Sequence, residues 1–256
     1  MKNQKKNGFR EKLSDFRLLF NAVPTVPLVI FVLSLFSMNL FANKSIALPF
    51  DWLALDCGIL VSWLVFLMLD ILTKHFGPRE ATALSYFATL LHLCLCGVFF
   101  IVGMIPGDWG AAVGSLHGAT VNAALNDTFG GTWFVIFGSA IAFLVSSTVN
   151  NFLHFLVGRA FFKDSRGIKA FVCSAYISTA VAQLADNFVF SMLVSRTFFD
   201  WSVSQCLTCS LFGMAAELVC EGIFVLFGYR ILEKWRKNKV GEAYLCRKDQ
   251  SARESV

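Results

Sequence analysis

Apolar runs of about twenty residues recur six times along the chain, at roughly 23–42, 52–73, 82–104, 132–158, 168–194 and 203–232. A helix needs about 20 mostly apolar residues to cross a hydrocarbon layer, so each run predicts a transmembrane helix. Pro24 and Pro27 lie at the entrance of the first run, where a missing amide costs least. That run follows a basic stretch, as the core of a signal peptide would. It is too long for one, and no clear small-x-small cleavage site follows, so it reads as an uncleaved span. The expected fold is an all-α membrane protein: six transmembrane helices in one compact bundle over 23–232, a basic N-terminal segment over 1–22 and a basic tail over 233–256.

Composition agrees. Of the 256 residues 56% are hydrophobic, only 15% are charged, 28 are Phe, and the mean hydropathy is +0.64. A soluble domain carries charge on about a quarter of its residues, so a water-facing globule is excluded. The net charge of +5 raises a nucleic-acid partner, but the placement of the basic residues removes it. Six precede the first span, Lys44 lies in the first loop, Lys74 and Arg79 in the second, none in 105–131, four in the fourth loop, Arg196 in the fifth and eight after Tyr229. Grouping alternate loops puts 20 of the 22 on one side. Cytoplasmic loops retain Lys and Arg, which predicts both termini in the cytoplasm and an even number of crossings. The basic surplus thus reports orientation; the partner is a lipid bilayer, and contact of anionic lipid with Arg230 to Lys239 is secondary.

The cysteines carry little chemistry in this reading. Cys57, Cys94, Cys96, Cys173 and Cys220 lie within spans, where small soft side chains pack. Cys206 and Cys209 form a CxxC without a second pair or an adjacent His, so no metal or cofactor is expected. No G-x-S-x-G, H-E-x-x-H or ATP-binding loop occurs, which argues against an enzyme and against direct use of ATP.

Polar residues recur at helical spacing on several spans. The third carries Ser85, Thr89, His92 and Cys96; the fourth Ser147, Asn150 or Asn151, and His154. The fifth carries Tyr176, Thr179, Gln183, Asp186 and Asn187, and the sixth Glu217 and Glu221 one turn apart. In the second, Asp56 and Asp70 fall on nearly the same face, at opposite ends, with Trp63 between them on that side. Hydroxyls and amides serve well enough as glue between helices. Carboxylates do not, because an ionised acid deep in a bilayer costs a few kcal/mol and usually marks a substrate or ion pathway. Asp186, Glu217 and Glu221 have no Lys or Arg at comparable depth, so they are protonated, hydrated or facing a ligand. His92 and His154 are weaker candidates, each either a structural hydrogen-bonding group or a relay. The loop 105–131, rich in glycine, is either an inert connector or a short interfacial helix or lid around Ala111 to Leu125, with Trp109 and Trp133 at headgroup level. His117 in this loop reads as a solvated residue.

Three strings, LMLDILTKHFGPREA leaving the second span, FGSAIAFLVSSTVNNF in the fourth and STAVAQLADNFVF in the fifth, together resemble the queuosine-precursor transporter family, also called VUT, over about 50–230. The resemblance implies a six-helix protein similar to the substrate-binding components of energy-coupling-factor vitamin transporters. It also implies import of 7-deazaguanine precursors of the tRNA base queuosine across a bacterial inner membrane. Asp70, Gln183, Asp186 and Glu221 match the family's polar signature; Asn150 stands where the family usually has an acid, and Glu217 where it often has a Lys. A guanine-like edge offers ring N–H and amine donors that a carboxylate accepts as a pair, while an amide such as Gln183 supplies a donor and an acceptor. The expected substrate site therefore comprises Asp186, Gln183, Glu221, Glu217, Asn150, Asp70 and Asn187, with His92 and His154 beside it. An independent importer and a binding module that hands its ligand to an energising complex both fit, as does a homo-oligomer. The bulky first span, without a small-xxx-small face, leans toward the independent carrier.

Overall fold

The computed structural model describes residues 14–50, 52–107, 109, 118–131, 133–160 and 167–254. His117 and the basic residues up to Lys12 lie outside them. The chain opens with α1 (Ser14–Ala22) and α2 (Thr25–Phe41), which meet at an angle of 102°. Pro24 sits at that bend with extended backbone, as a residue that cannot continue a hydrogen-bonded helix must. A two-stranded antiparallel ladder, β1 (Ser45–Ile46) and β2 (Leu55–Asp56), precedes α3 (Ile59–Phe76) and α4 (Pro78–Met104). Gly77 joins these two helices at φ 111°, a conformation that strains a side chain, and Pro78 starts α4 at its first position. Next come α5 (Gly118–Asn126) with a π turn at Asp127–Gly131, α6 (Trp133–Ala160) and α7 (Ile168–Phe190). A second π turn, Ser191–Ser195, leads to α8 (Arg196–Phe199), α9 (Val203–Lys237) and α10 (Glu242–Glu254).

Five of these helices are long and apolar enough to cross a membrane, or six where α1 and α2 count as one bent span. α3 forms the centre: Val65 to Thr73 are all buried, enclosed by α2, α4, α6 and α9. Large apolar side chains instead point outward from α2, α4, α6 and α9, among them Leu33, Ile101, Phe137, Val219 and Phe227. In water such a surface would aggregate; in lipid it is the solvated face.

The second span departs from expectation. Residues 52–58 are not helical, because Leu55 and Asp56 pair with Ser45 and Ile46, and the Cys57 amide donates to the Lys44 carbonyl at 2.8 Å. Gly58 is required here: a Cβ would lie 2.7 Å from the Met38 carbonyl oxygen. Asp56 therefore precedes the helix instead of sharing a helical face with Asp70. At the chain's other end, residues beyond the last apolar run continue α9 to Lys237 and fold back as α10. Lys248 bonds Glu80 at 2.7 Å and the Phe76 carbonyl at 2.8 Å, and Arg247 lies 3.5 Å from Asp15 of α1. The first and last described helices thus meet at one end of the bundle, the end that carries most of the basic residues. In the loop 105–131, residues from Gly118 are helical.

Candidate functional site

Four helices turn a polar face toward one another at the centre of the bundle. Three contribute residues over about two turns, or about 12 Å, Ser62 and Asp70 from α3, Ser146, Asn150 and His154 from α6, and Thr179, Gln183, Asp186 and Asn187 from α7; α9 adds Glu217 and Glu221, one turn apart. Facing helical stripes are the arrangement in which bundles build ligand sites.

Toward the basic end, Asp70 is fully buried and its Oδ1 accepts from the Asn150 amide at 2.8 Å and lies 2.9 Å from His154 Nδ1. The His154 ring also neighbours Ser178, 3.5 Å from Nδ1, and Ser174, 3.4 Å from Nε2. Glu221 accepts from Thr179 at 3.1 Å, and its carboxyl is within hydrogen-bonding range of Asp70. Toward the opposite end, Glu217 accepts from Ser62 at 2.5 Å and from the Asn187 amide at 3.3 Å, while Ser146 donates to Asp186 at 2.7 Å.

Gln183 lies on α7 between these two layers. It is fully buried, yet neither its amide nitrogen nor its oxygen has a partner. Asp70 Oδ2, Glu221 Oε2 and Asn150 Oδ1 are equally unsatisfied, and among the described residues only Glu80 adds another such side-chain atom. Each unmet buried group costs about 1–3 kcal/mol, so their concentration in one layer marks a place where bonding capacity is held for something else.

A cavity lies toward each end of the cluster, one lined by Asn187 and the other by His154. One, of about 460 Å³, opens opposite the basic end and is lined by Asn43, Asp56, Asn187, Ser191, Trp201 and Gly213. Its volume suits a small organic molecule, and the π turn at Ser191–Ser195, a distortion frequent at functional sites, forms part of its wall. Asp56 lies at its rim. Burial pushes the Asp56 carboxyl up to about 6, although the Gly58 amide donating at 2.7 Å opposes this. The other cavity, of about 680 Å³, lies at the basic end; His154, Lys74 and Arg159 line it.

Of the residues the sequence singled out, Asp186, Gln183, Glu221, Glu217, Asn150, Asp70, Asn187 and His154 come together. His92 does not: it faces α2, its ring 5.7 Å from Phe36, and its α4 stripe serves as a packing seam in which Thr89 bonds the Ser85 carbonyl. Asn151 ties Thr73 and Thr82 instead of joining the acids. Trp63 stacks on Phe224 at 4.3 Å and leaves the site to the acids. Ser62 and Ser146, outside the stripes read from the sequence, complete the cluster by bonding Glu217 and Asp186. Ser146, Asn150 and His154 follow one another at four-residue steps, a stripe that Ser147 fits less well. Among the described residues no group of three or more His, Cys, Asp or Glu is placed to hold a metal; Cys206 and Cys209 bond separate backbone carbonyls, of Ser191 and Trp52.

Acids, amides and hydroxyls converging between two cavities in an apolar bundle can select a flat polar molecule by its hydrogen-bonding edge. No curated protein and no solved structure matches the chain. The family described as vitamin uptake transporters matches residues 56–231, from Asp56 at the rim of the first cavity to the middle of α9, and the chain belongs to that family, the queuosine-precursor or VUT transporters.

Proposed function

We propose that the protein imports 7-deazaguanine precursors of queuosine, acting as a carrier rather than an enzyme, through six crossings of a bacterial inner membrane with both termini in the cytoplasm. The basic residues gathered at one end support this orientation, and the contact of Arg247 with Asp15 agrees with an even number of crossings. The observation that carries the substrate is Gln183, a buried amide with a free donor and a free acceptor, flanked by carboxylates. A carboxylate accepts the ring N–H and exocyclic amine of a guanine-like edge, the Gln183 amide donates to its carbonyl oxygen, and a second acid suits the aminomethyl cation that some precursors carry.

A binding module serving an energising complex is the second reading. The exposed face of α2, with Val26, Val29, Ile30 and Leu33, is bulky and offers no close-packing seam for a docking helix, which favours the independent carrier.

The test is uptake of a labelled precursor by cells unable to make it. The wild-type chain is expected to restore uptake, and Asp186→Asn and Glu221→Gln to reduce it at least about tenfold, equivalent to about 1.4 kcal/mol of binding. Normal uptake by both variants would sink the site assignment; none by the wild type would sink the substrate. Gly213→Leu is expected to act similarly from the cavity mouth. A Cβ there already lies 2.8 Å from the Asn187 amide nitrogen, so the larger side chain displaces Asn187 from Glu217 and fills the entrance. Initial uptake rate, normalised to protein in the membrane, measures it; an unchanged rate would show that substrate does not enter there.

A further inference from the structure

We propose that Glu221, Asp70 and His154 form a proton path between the substrate site and the basic-end cavity, so that uptake is coupled to proton movement. The proposal rests on the importer reading above and adds its source of energy.

A series of titratable groups runs through the cluster, with one end at each cavity. Asp56 lines the first cavity; Asp186 of α7 and Glu217 of α9 lie between it and Glu221, one turn further along α9, whose carboxyl faces Asp70. Asp70 Oδ1 lies 2.9 Å from His154 Nδ1, and His154 lines the second cavity. Only about 12 Å of packed protein separates Glu217's layer from His154's, two helical turns, against about 30 Å for a hydrocarbon layer.

Two unsatisfied atoms sharpen the argument. Asp70 Oδ2 and Glu221 Oε2 have no partner although both residues are fully buried, and their carboxyls are within hydrogen-bonding range. One proton held between the two carboxyls converts a pair of facing acceptors into a donor and an acceptor. An arriving base that uses one of these carboxyls as its acceptor competes for that proton. The proton then passes to His154 at Nδ1, while Nε2, 3.4 Å from Ser174, releases one toward the cavity; the ring ends with the charge it began with.

The charged groups around the exit are Lys74 of α3, Arg159 of α6, Arg236 of α9, and Lys239, Glu242 and Lys248 of the arm that follows. Lys74 is near: a Cβ on Gly158 would lie 2.6 Å from its ammonium and 3.6 Å from Ser174 Oγ.

The test uses the purified full chain in liposomes, with labelled 7-aminomethyl-7-deazaguanine and the membrane potential clamped at zero. Counterflow of label against unlabelled base first establishes transport. An inside-alkaline gradient of one pH unit is then expected to drive accumulation, up to about tenfold for one coupled proton, and base added outside is expected to acidify the interior. In His154→Gln the ratio of uptake with the gradient to uptake without it falls to about 1. If the wild type shows counterflow but equilibrates the base regardless of the gradient and moves no protons, the proton path is overturned while the importer reading stands. A gradient ratio in His154→Gln equal to the wild type's overturns His154 as the exit. Absence of counterflow in the wild type overturns the importer reading and this proposal with it.

Discussion

Gln183→Leu is expected to abolish binding of the 7-deazaguanine base while making the empty protein more stable. Leu has nearly the shape of Gln but no polar atoms. At a fully buried position where both amide atoms lack partners, the exchange relieves two unmet groups at about 1–3 kcal/mol each. Part of that relief is offset by imperfect packing of the branched side chain, leaving a rise of about 2–4 °C in thermal midpoint. With ligand the balance reverses, since two hydrogen bonds to the base are lost in a site that excludes water. Affinity should fall about a hundredfold or more, the consequence of leaving a substrate's polar edge unmatched. Thermal unfolding of the purified protein with and without ligand reads both effects. A destabilised variant that still binds would mean that Gln183 is structural.

Asp70→Leu is expected to do the opposite, damaging the fold itself. Asp70 accepts from Asn150 on α6, lies against His154 of the same helix and faces Glu221 on α9, so it ties three helices through one side chain. Without it the Asn150 amide loses its acceptor and His154 Nδ1 its partner at the centre of the bundle. At about 1–3 kcal/mol for each orphaned group the cost is about 2–6 kcal/mol, a large part of the 5–15 kcal/mol typical of a folded protein. Asp70→Asn keeps an acceptor oxygen for the Asn150 amide and should fold more nearly as the wild type does. Thermal midpoint and monodisperse yield in detergent distinguish the cases; equal stability of Asp70→Leu and the wild type would remove Asp70 as the tie.

How much of this was written in the sequence depends on the range of the interaction. The apolar runs announced their helices because each needs only local composition and a repeat of 3.6 residues. Residues 52–58 misled for the same reason: they are apolar, but their pairing with Ser45 and Ile46 and the close approach of Gly58 to Met38 come from segments that the local pattern does not see. Buried acids without basic partners were legible one by one. Their meeting was not, since Asp70 and His154 lie on different spans and no periodicity joins them. His92 had the same kind of stripe as His154 and faces a packing seam with α2, because spacing reports a shared face but not what that face meets. The segment after the last apolar run reads as charged and solvated; Lys248 on Glu80 and Trp235 beside His75 hold it against the bundle instead.

The central claim is that the layer around Gln183 holds a 7-deazaguanine by its guanine-like edge. The most direct measurement is equilibrium binding of that base to the purified protein, beside an analogue that lacks only the exocyclic amine. If a carboxylate accepts the amine and ring N–H as a pair, the analogue should bind about 10- to 100-fold more weakly, the loss expected when one bond to a charged acceptor is removed and its partner is left buried. Equal affinity for the two, or no binding of either, would contradict the account.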